Sequence, residues 1–173
     1  MNNIERIYKD NSIKGFASEY IKYTREVLLK ISIKEVECFI KAILRARERN
    51  STIYFIGNGG SASTASHFVN DMAIGTRSWD KPFNAISLCD NQAVLSAIAN
   101  DDGYDHVFSQ QLNVYLKKDD VVVIISASGN SKNLINAVNI AKDKKAETIA
   151  ITSFDGGELN KIVDMSIHVP TEF

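Results

Sequence analysis

Ile53-Tyr-Phe-Ile-Gly-Asn-Gly-Gly-Ser-Ala-Ser-Thr-Ala-Ser-His67 is the stretch that decides how the chain is read. The apolar, β-rich run Ile53 to Ile56 breaks at Gly57. Asn58, Gly59 and Gly60 then read as a tight turn, Ser61 as a helix N-cap, and the helix that follows carries His67. A strand, a glycine turn and a helix N-terminus together present bare backbone N–H groups to an anion. Glycine suits such a turn because a side chain would block close backbone approach and resist positive φ. Val121-Val-Val-Ile-Ile-Ser-Ala-Ser-Gly-Asn-Ser131 repeats the plan, a buried strand turning through Ser, Gly and Asn into a helix. Ser, Gly and Asn are also what any strand-to-helix turn uses. Two such turns in one small chain favour a ligand, and a polyhydroxy, phosphate-bearing one.

Outward from these turns, strands alternate with helices. Strands are predicted at 52–57, 84–88, 120–126, 147–152 and 165–169, and helices at 62–74, 91–99, 105–116 and 131–144, with a short turn near 157–161. Near-continuous Val/Ile strands in this alternation predict an α/β fold with a parallel sheet covered on both faces. Ligands of such sheets sit outside the carboxyl ends of the strands, where both turns lie. Ahead of the first strand, Phe16, Ala17, Tyr20, Ile21, Val27, Leu28 and Ile31 fall at helical spacing. Ser32 with Glu35 reads as a capping box for a second helix, with Val36, Phe39, Ile40, Ile43 and Leu44 on one face and a basic run from Arg45 to Arg49 at its end. The chain is read as one domain, 1–50 as N-terminal helices and 51–170 as the βα core. The two helices could cover their own sheet or pack against another subunit; the first, with Tyr20 and Tyr23, is expected at a subunit contact, with plain intramolecular cover as the alternative.

Composition removes several function classes. The 173 residues are 45% hydrophobic and 24% charged with net charge −1, so no basic footprint argues for nucleic acid. Cys38 and Cys89 form neither a disulfide framework nor a zinc-finger spacing. No secretory leader is legible, and no apolar run approaches the roughly 20 residues of a membrane span. A cytoplasmic protein without membrane contact is expected. Gly57-Asn-Gly-Gly-Ser61 is not G-x-G-x-x-G and no G-K-[ST] follows, so no nucleotide cofactor is expected.

Ser126, Ser128 and Ser131 place three hydroxyls at one helix start, which can hold a phosphate without lysine. His67 and Asp71 are four apart and share a helical face. Such a pair can bind a metal, act as an acid–base couple, or form an ordinary surface hydrogen bond. Asp90 follows the 84–88 strand and could face the same cleft, while His106 and His168 read as structural.

Gly57-Asn-Gly-Gly-Ser61 with His67, Asn100-Asp101, Ser126-x-Ser-Gly-Asn-Ser131 and Asp155-Gly-Gly157 resemble the sugar isomerase (SIS) domain, and within it the phosphoheptose isomerases, over about residues 15–170. The resemblance implies a three-layer αβα sandwich, a homotetramer and a sugar-phosphate site shared between subunits. It implies phosphate binding by Ser126, Ser128 and Ser131, and a sugar lined by Asn58, Gly59, Ser61, Asn100 and Asp101. It further implies zinc at His67, and a glutamate acting as metal ligand and base, which here is Asp71. Aspartate is one methylene shorter, which sets its carboxylate about 1.5 Å back. A C-terminal helix with a glutamine and a histidine of the metal and acid–base site is also implied. It would begin near Thr171-Glu-Phe173, and the 173 residues are expected to lack it.

The activity implied is aldose–ketose isomerisation of sedoheptulose 7-phosphate, through an enediol with Asp71 as base, in heptose biosynthesis for lipopolysaccharide or capsule. The alternatives are a non-catalytic phosphosugar-binding or regulatory SIS protein, and an isomerase of another sugar phosphate.

Overall fold

The computed structural model describes residues 12–171. Helix α1 (Ile13–Lys30) starts at Ser12, whose Oγ accepts from the Gly15 N–H at 3.0 Å. Helix α2 (Ile33–Glu48) starts at Ser32, whose Oγ accepts from the Glu35 N–H at 3.3 Å. Only half of the expected capping box forms. The Glu35 carboxylate turns away and accepts from the His168 N–H at 3.0 Å, tying α2 to the far edge of the sheet.

The core then runs β1 (Ile53–Gly57), α3 (Gly60–Val69), a π-helical turn (Asn70–Gly75), β2 (Ala85–Ser87), α4 (Gln92–Asp101), a 3₁₀ turn (Tyr104–His106), α5 (Ser109–Tyr115), β3 (Val121–Ser126), α6 (Lys132–Asp143), β4 (Glu147–Thr152), α7 (Leu159–Ile162) and β5 (Met165–His168). All strand pairs are parallel, in the order β2-β1-β3-β4-β5. Register couples Phe55 to Val123 and Val123 to Ile149.

Strand alternation divides the core into two layers. Ile53, Phe55, Val121, Val123, Ile125 and Ile149 pack with Ala42, Ile43 and Ala46 of α2 and Ala65 of α3. Tyr54, Ile56, Val122, Ile124 and Ala150 face the other way, onto Leu112 of α5, Leu134 and Val138 of α6 and Leu159 of α7. The result is the expected three-layer αβα sandwich, and it explains why β1 and β3 are buried along their whole length.

Two predicted helices are broken. The 62–74 helix becomes α3 and then widens into the π-helical turn carrying Asp71. The 105–116 helix becomes a 3₁₀ turn and α5, with buried Val107 and Phe108 between them. Helix α1 covers the sheet poorly: only Val27 is buried, while Ile21 is 70% and Leu29 74% exposed. Among the described residues, no helix is long and apolar enough to cross a membrane.

Candidate active site

Sheet order puts the reversal of winding between β1 and β3, and the crevice of a doubly wound sheet opens at such a point, beyond the strand carboxyl ends. Both glycine-bearing turns leave there.

In the first turn, a Cβ on Gly57 would come within 2.8 Å of the Ser61 backbone, so only glycine lets the chain fold back this tightly. Helix α3 begins two residues earlier than expected. Its N-cap is Gly59, at φ 53°, with no side-chain cap, and Ser61 is the second helical residue instead of the cap. The Ser61 N–H donates to the Asn58 carbonyl at 2.9 Å, which leaves the Ser61 hydroxyl outside the capping role.

The second turn is rigid. Ser126 is buried and its Oγ accepts from the Gly129 N–H at 3.1 Å, while Ser128 Oγ accepts from the Asn130 N–H at 3.3 Å. Each hydroxyl that accepts in this way keeps its own O–H to donate to an anion. Ser131 is the N-cap of α6, but its side chain makes no cap hydrogen bond, so a third hydroxyl is uncommitted at the positive end of a 12-residue helix.

The Asp155-Gly156-Gly157 loop props this turn from behind. Gly129 Cβ would lie 2.0 Å from the Gly156 carbonyl oxygen, and Gly157 Cβ 2.4 Å from that of Ser128. Leu159 N–H donates to the Gly129 carbonyl at 2.9 Å, and Glu158 N–H to Asn130 Oδ1 at 3.0 Å.

Asn58 joins the two turns. Its Nδ2 donates to Asn133 Oδ1 at 3.0 Å, and its Oδ1 accepts from Asn133 Nδ2 at 2.9 Å and from the Tyr104 hydroxyl at 2.9 Å. Asn133 and Tyr104 were not legible as site residues. Asn133 reads as an ordinary residue in the first turn of a helix, and Tyr104 as part of a polar loop. Asn100 donates to its neighbour Asp101 at 2.8 Å, and both are exposed at the end of α4, three and four residues from Tyr104.

His67 and Asp71 stand apart from this constellation. His67 Nε2 lies 3.2 Å from Asp71 Oδ2, and Asn70 Nδ2 donates to Asp71 Oδ1 at 3.2 Å. Their side chains are 75% and 60% exposed, and among the described residues no hydrogen bond or ion pair joins either to the serine turn. A catalytic zinc takes three protein ligands and an open position. The pair supplies one imidazole and one carboxylate, and the described residues bring no group of three or more His, Cys, Asp or Glu side chains together. These residues of one chain do not fit zinc.

Asp90 accepts from Ser66 Oγ, at the carboxyl end of β2. Cys89 lies beneath the first turn and its Sγ donates to the Gly57 carbonyl at 3.5 Å; burial pushes this thiol's pKa up and makes it a poor nucleophile. His168 Nε2 sits 2.9 Å from the Phe154 carbonyl, in the structural role expected of it.

The SIS domain model matches residues 19–153. The chain is 37% identical over 156 residues to the "Probable phosphoheptose isomerase" of Thermoplasma acidophilum, covering 90% of this chain and 86% of that protein. It is 37% identical over 154 residues to a phosphoheptose isomerase of Helicobacter pylori strain P12, covering 89% and 78%. The solved phosphoheptose isomerase of Neisseria gonorrhoeae superposes with TM-score 0.82 at 34% identity, covering 91% of this chain and 84% of that one.

Proposed function

Because the chain belongs to the SIS domain family, we propose that it interconverts sedoheptulose 7-phosphate and D-glycero-D-manno-heptose 7-phosphate. Its class is that of its relatives, an isomerase of sugar phosphates in heptose biosynthesis. The observation that carries the reading is the serine turn: three hydroxyls with uncommitted protons, held rigid at a helix N-terminus beside the crevice. Such a turn holds a phosphate, and binding energy from that remote group holds the reacting carbons in place.

Asp71 is the base of this reading. Its carboxylate takes a proton from C1 of the ketose, and the C–H electron pair becomes the C1=C2 bond. The C2 carbonyl oxygen takes up a proton, giving the enediol. Return of a proton to C2 and loss of one from O1 give the aldose, with no net change of atoms or electrons. Asp71 must lose solvent to do this near neutral pH. Its 60% exposure in a single chain supports a site closed by a second copy. The exposed Ile13, Ile21, Leu29 and Ile33 on α1 and α2 support assembly, and a homotetramer in the cytoplasm is the form we propose. Zinc would need ligands from outside the described residues of one chain. A place in lipopolysaccharide or capsule formation follows from the heptose product.

One observation favours a second reading, a phosphosugar-binding protein without turnover. Asp71 is short by one methylene, and misplacement on that scale can cost ~100-fold in rate. The two are separated by exchange of solvent deuterium into sedoheptulose 7-phosphate, followed by NMR. Exchange supports the isomerase. A protein that binds the sugar phosphate, with zinc supplied, and exchanges nothing is the binding protein.

A further inference from the structure

The carboxamide of Asn58 has almost all of its hydrogen-bonding capacity spent inside the protein. Its oxygen has two lone pairs, and both are taken, by Asn133 Nδ2 and by the Tyr104 hydroxyl. Of its two N–H donors, one goes to Asn133 Oδ1. What is left is a single N–H. We propose that Asn133 and Tyr104 are positioning residues that fix Asn58 as a donor, so that it meets an oxygen of the sugar with an N–H and never with its own carbonyl.

The two partners act from different sides. Asn133 is 2% exposed and rides on the first turn of α6, so its reciprocal pair with Asn58 locks the β1 turn to the helix whose N-terminus carries the serine turn. Turning both amides over would preserve that pair but bring Asn58 Nδ2 to the Tyr104 oxygen. In the arrangement present the Tyr104 hydroxyl donates to Asn58 Oδ1, so the second Asn58 N–H is the group left over. Tyr104 is 57% exposed, so its ring contributes little packing, and the role of its hydroxyl is directional. It follows Gly103, at φ 92°, and lies three residues after Asp101, so the same hydrogen bond brings the end of α4 to the β1 turn. An N–H fixed in this way suits a carbonyl or hydroxyl oxygen that gains negative charge as the enediol forms.

The inference rests on the isomerase reading for its substrate, and the test separates the two. Tyr104→Phe removes one O–H and leaves the fold intact, which an unchanged melting temperature checks. The expected result is a fall of about fivefold to tenfold in kcat/KM for sedoheptulose 7-phosphate, the size of one neutral hydrogen bond, with affinity for inorganic phosphate unchanged by calorimetry. The Asn58 side-chain amide signals in a ¹H–¹⁵N spectrum of the free protein should also shift. Asn133→Ala should lower kcat/KM further, and Tyr104→Phe added to it should then cost less than it does alone, because the two act through one group. Unchanged kcat/KM in Tyr104→Phe, or unmoved Asn58 signals, overturns the proposal. If the wild type exchanges no deuterium, the isomerase reading falls. Calorimetric affinity for the sugar phosphate then replaces kcat/KM, with the same fold-change expected and no change overturning the inference.

Discussion

The serine turn after β3 and the His67–Asp71 pair on α3 are both polar clusters, and they are built in opposite ways. The turn is complete within one chain. Ser126 is buried, Gly129 and Gly157 pack backbone against backbone, and hydrogen bonds from 153–159 close it from behind. The pair is open, with most of both side chains in solvent and a single mutual contact at 3.2 Å. It straddles a change from α- to π-helix, a feature frequent at functional sites. The difference teaches that binding and chemistry are assembled at different levels. The proposed phosphate end is fixed by the fold, and the proposed base still needs something to exclude water.

The largest test of this contrast is Asp71→Asn. It keeps the shape and removes the base, so kcat should fall by about 10²–10⁴, the range for a general base, while sugar-phosphate affinity stays near wild type. Deuterium exchange and calorimetry on the same preparation read both halves, and a wild-type exchange rate would take Asp71 out of the mechanism.

Next comes Gly129→Ala. At φ 65°, with its new Cβ 2.0 Å from the Gly156 carbonyl oxygen, the variant must displace backbone. A loss of about 3 kcal/mol in urea unfolding is expected, together with loss of phosphate binding. A variant as stable as wild type would show that the two loops are not packed as described.

The open half is tested through α1. Ile21→Asp places a charge on a face that is 70% exposed in the single chain. If this face meets another copy, the dissociation constant should rise about tenfold to a hundredfold, from the burial of one aliphatic side chain. Sedimentation at micromolar concentration reads it, and a wild-type protein that sediments only as monomer would remove the assembly altogether.

The smallest effect is expected from Ser131→Ala, which deletes one donor of three. Phosphosugar affinity should fall by about 1 kcal/mol or somewhat more, with turnover of the saturated enzyme little changed. Equal affinity by calorimetry would show that Ser131 is not part of the phosphate site.

Much of this molecule was legible in its residues. The Val/Ile run at 121–125 and the Ile-Tyr-Phe-Ile run at 53–56 read as buried strands, and the glycines at 57 and 59 as a turn. Element order, parallel pairing and the position of both turns at carboxyl ends follow from those local patterns, because hydrophobic period and turn chemistry act over a few residues. Helix ends were less legible. Ser61 looks like a cap, yet Gly59 is the cap, because the Gly57 turn closes against the Ser61 backbone and draws the helix start back. Glu35 looks like the second half of a capping box, yet it serves the N–H of His168, 133 residues away.

The sequence by itself determined the α/β sandwich, the two glycine-bearing turns at strand carboxyl ends and the serine hydroxyls of the second. Tertiary structure alone decided how those parts are aimed. Asn58 meets Asn133 across 75 residues and Tyr104 across 46, Gly129 finds its clash partner at Gly156, and His67 with Asp71 is left facing solvent. The physical reason is one of range. Strand and turn preferences are set by neighbours along the chain. The pairing of a buried amide, and the exposure of a carboxylate, are set by whichever distant segment the fold brings against it.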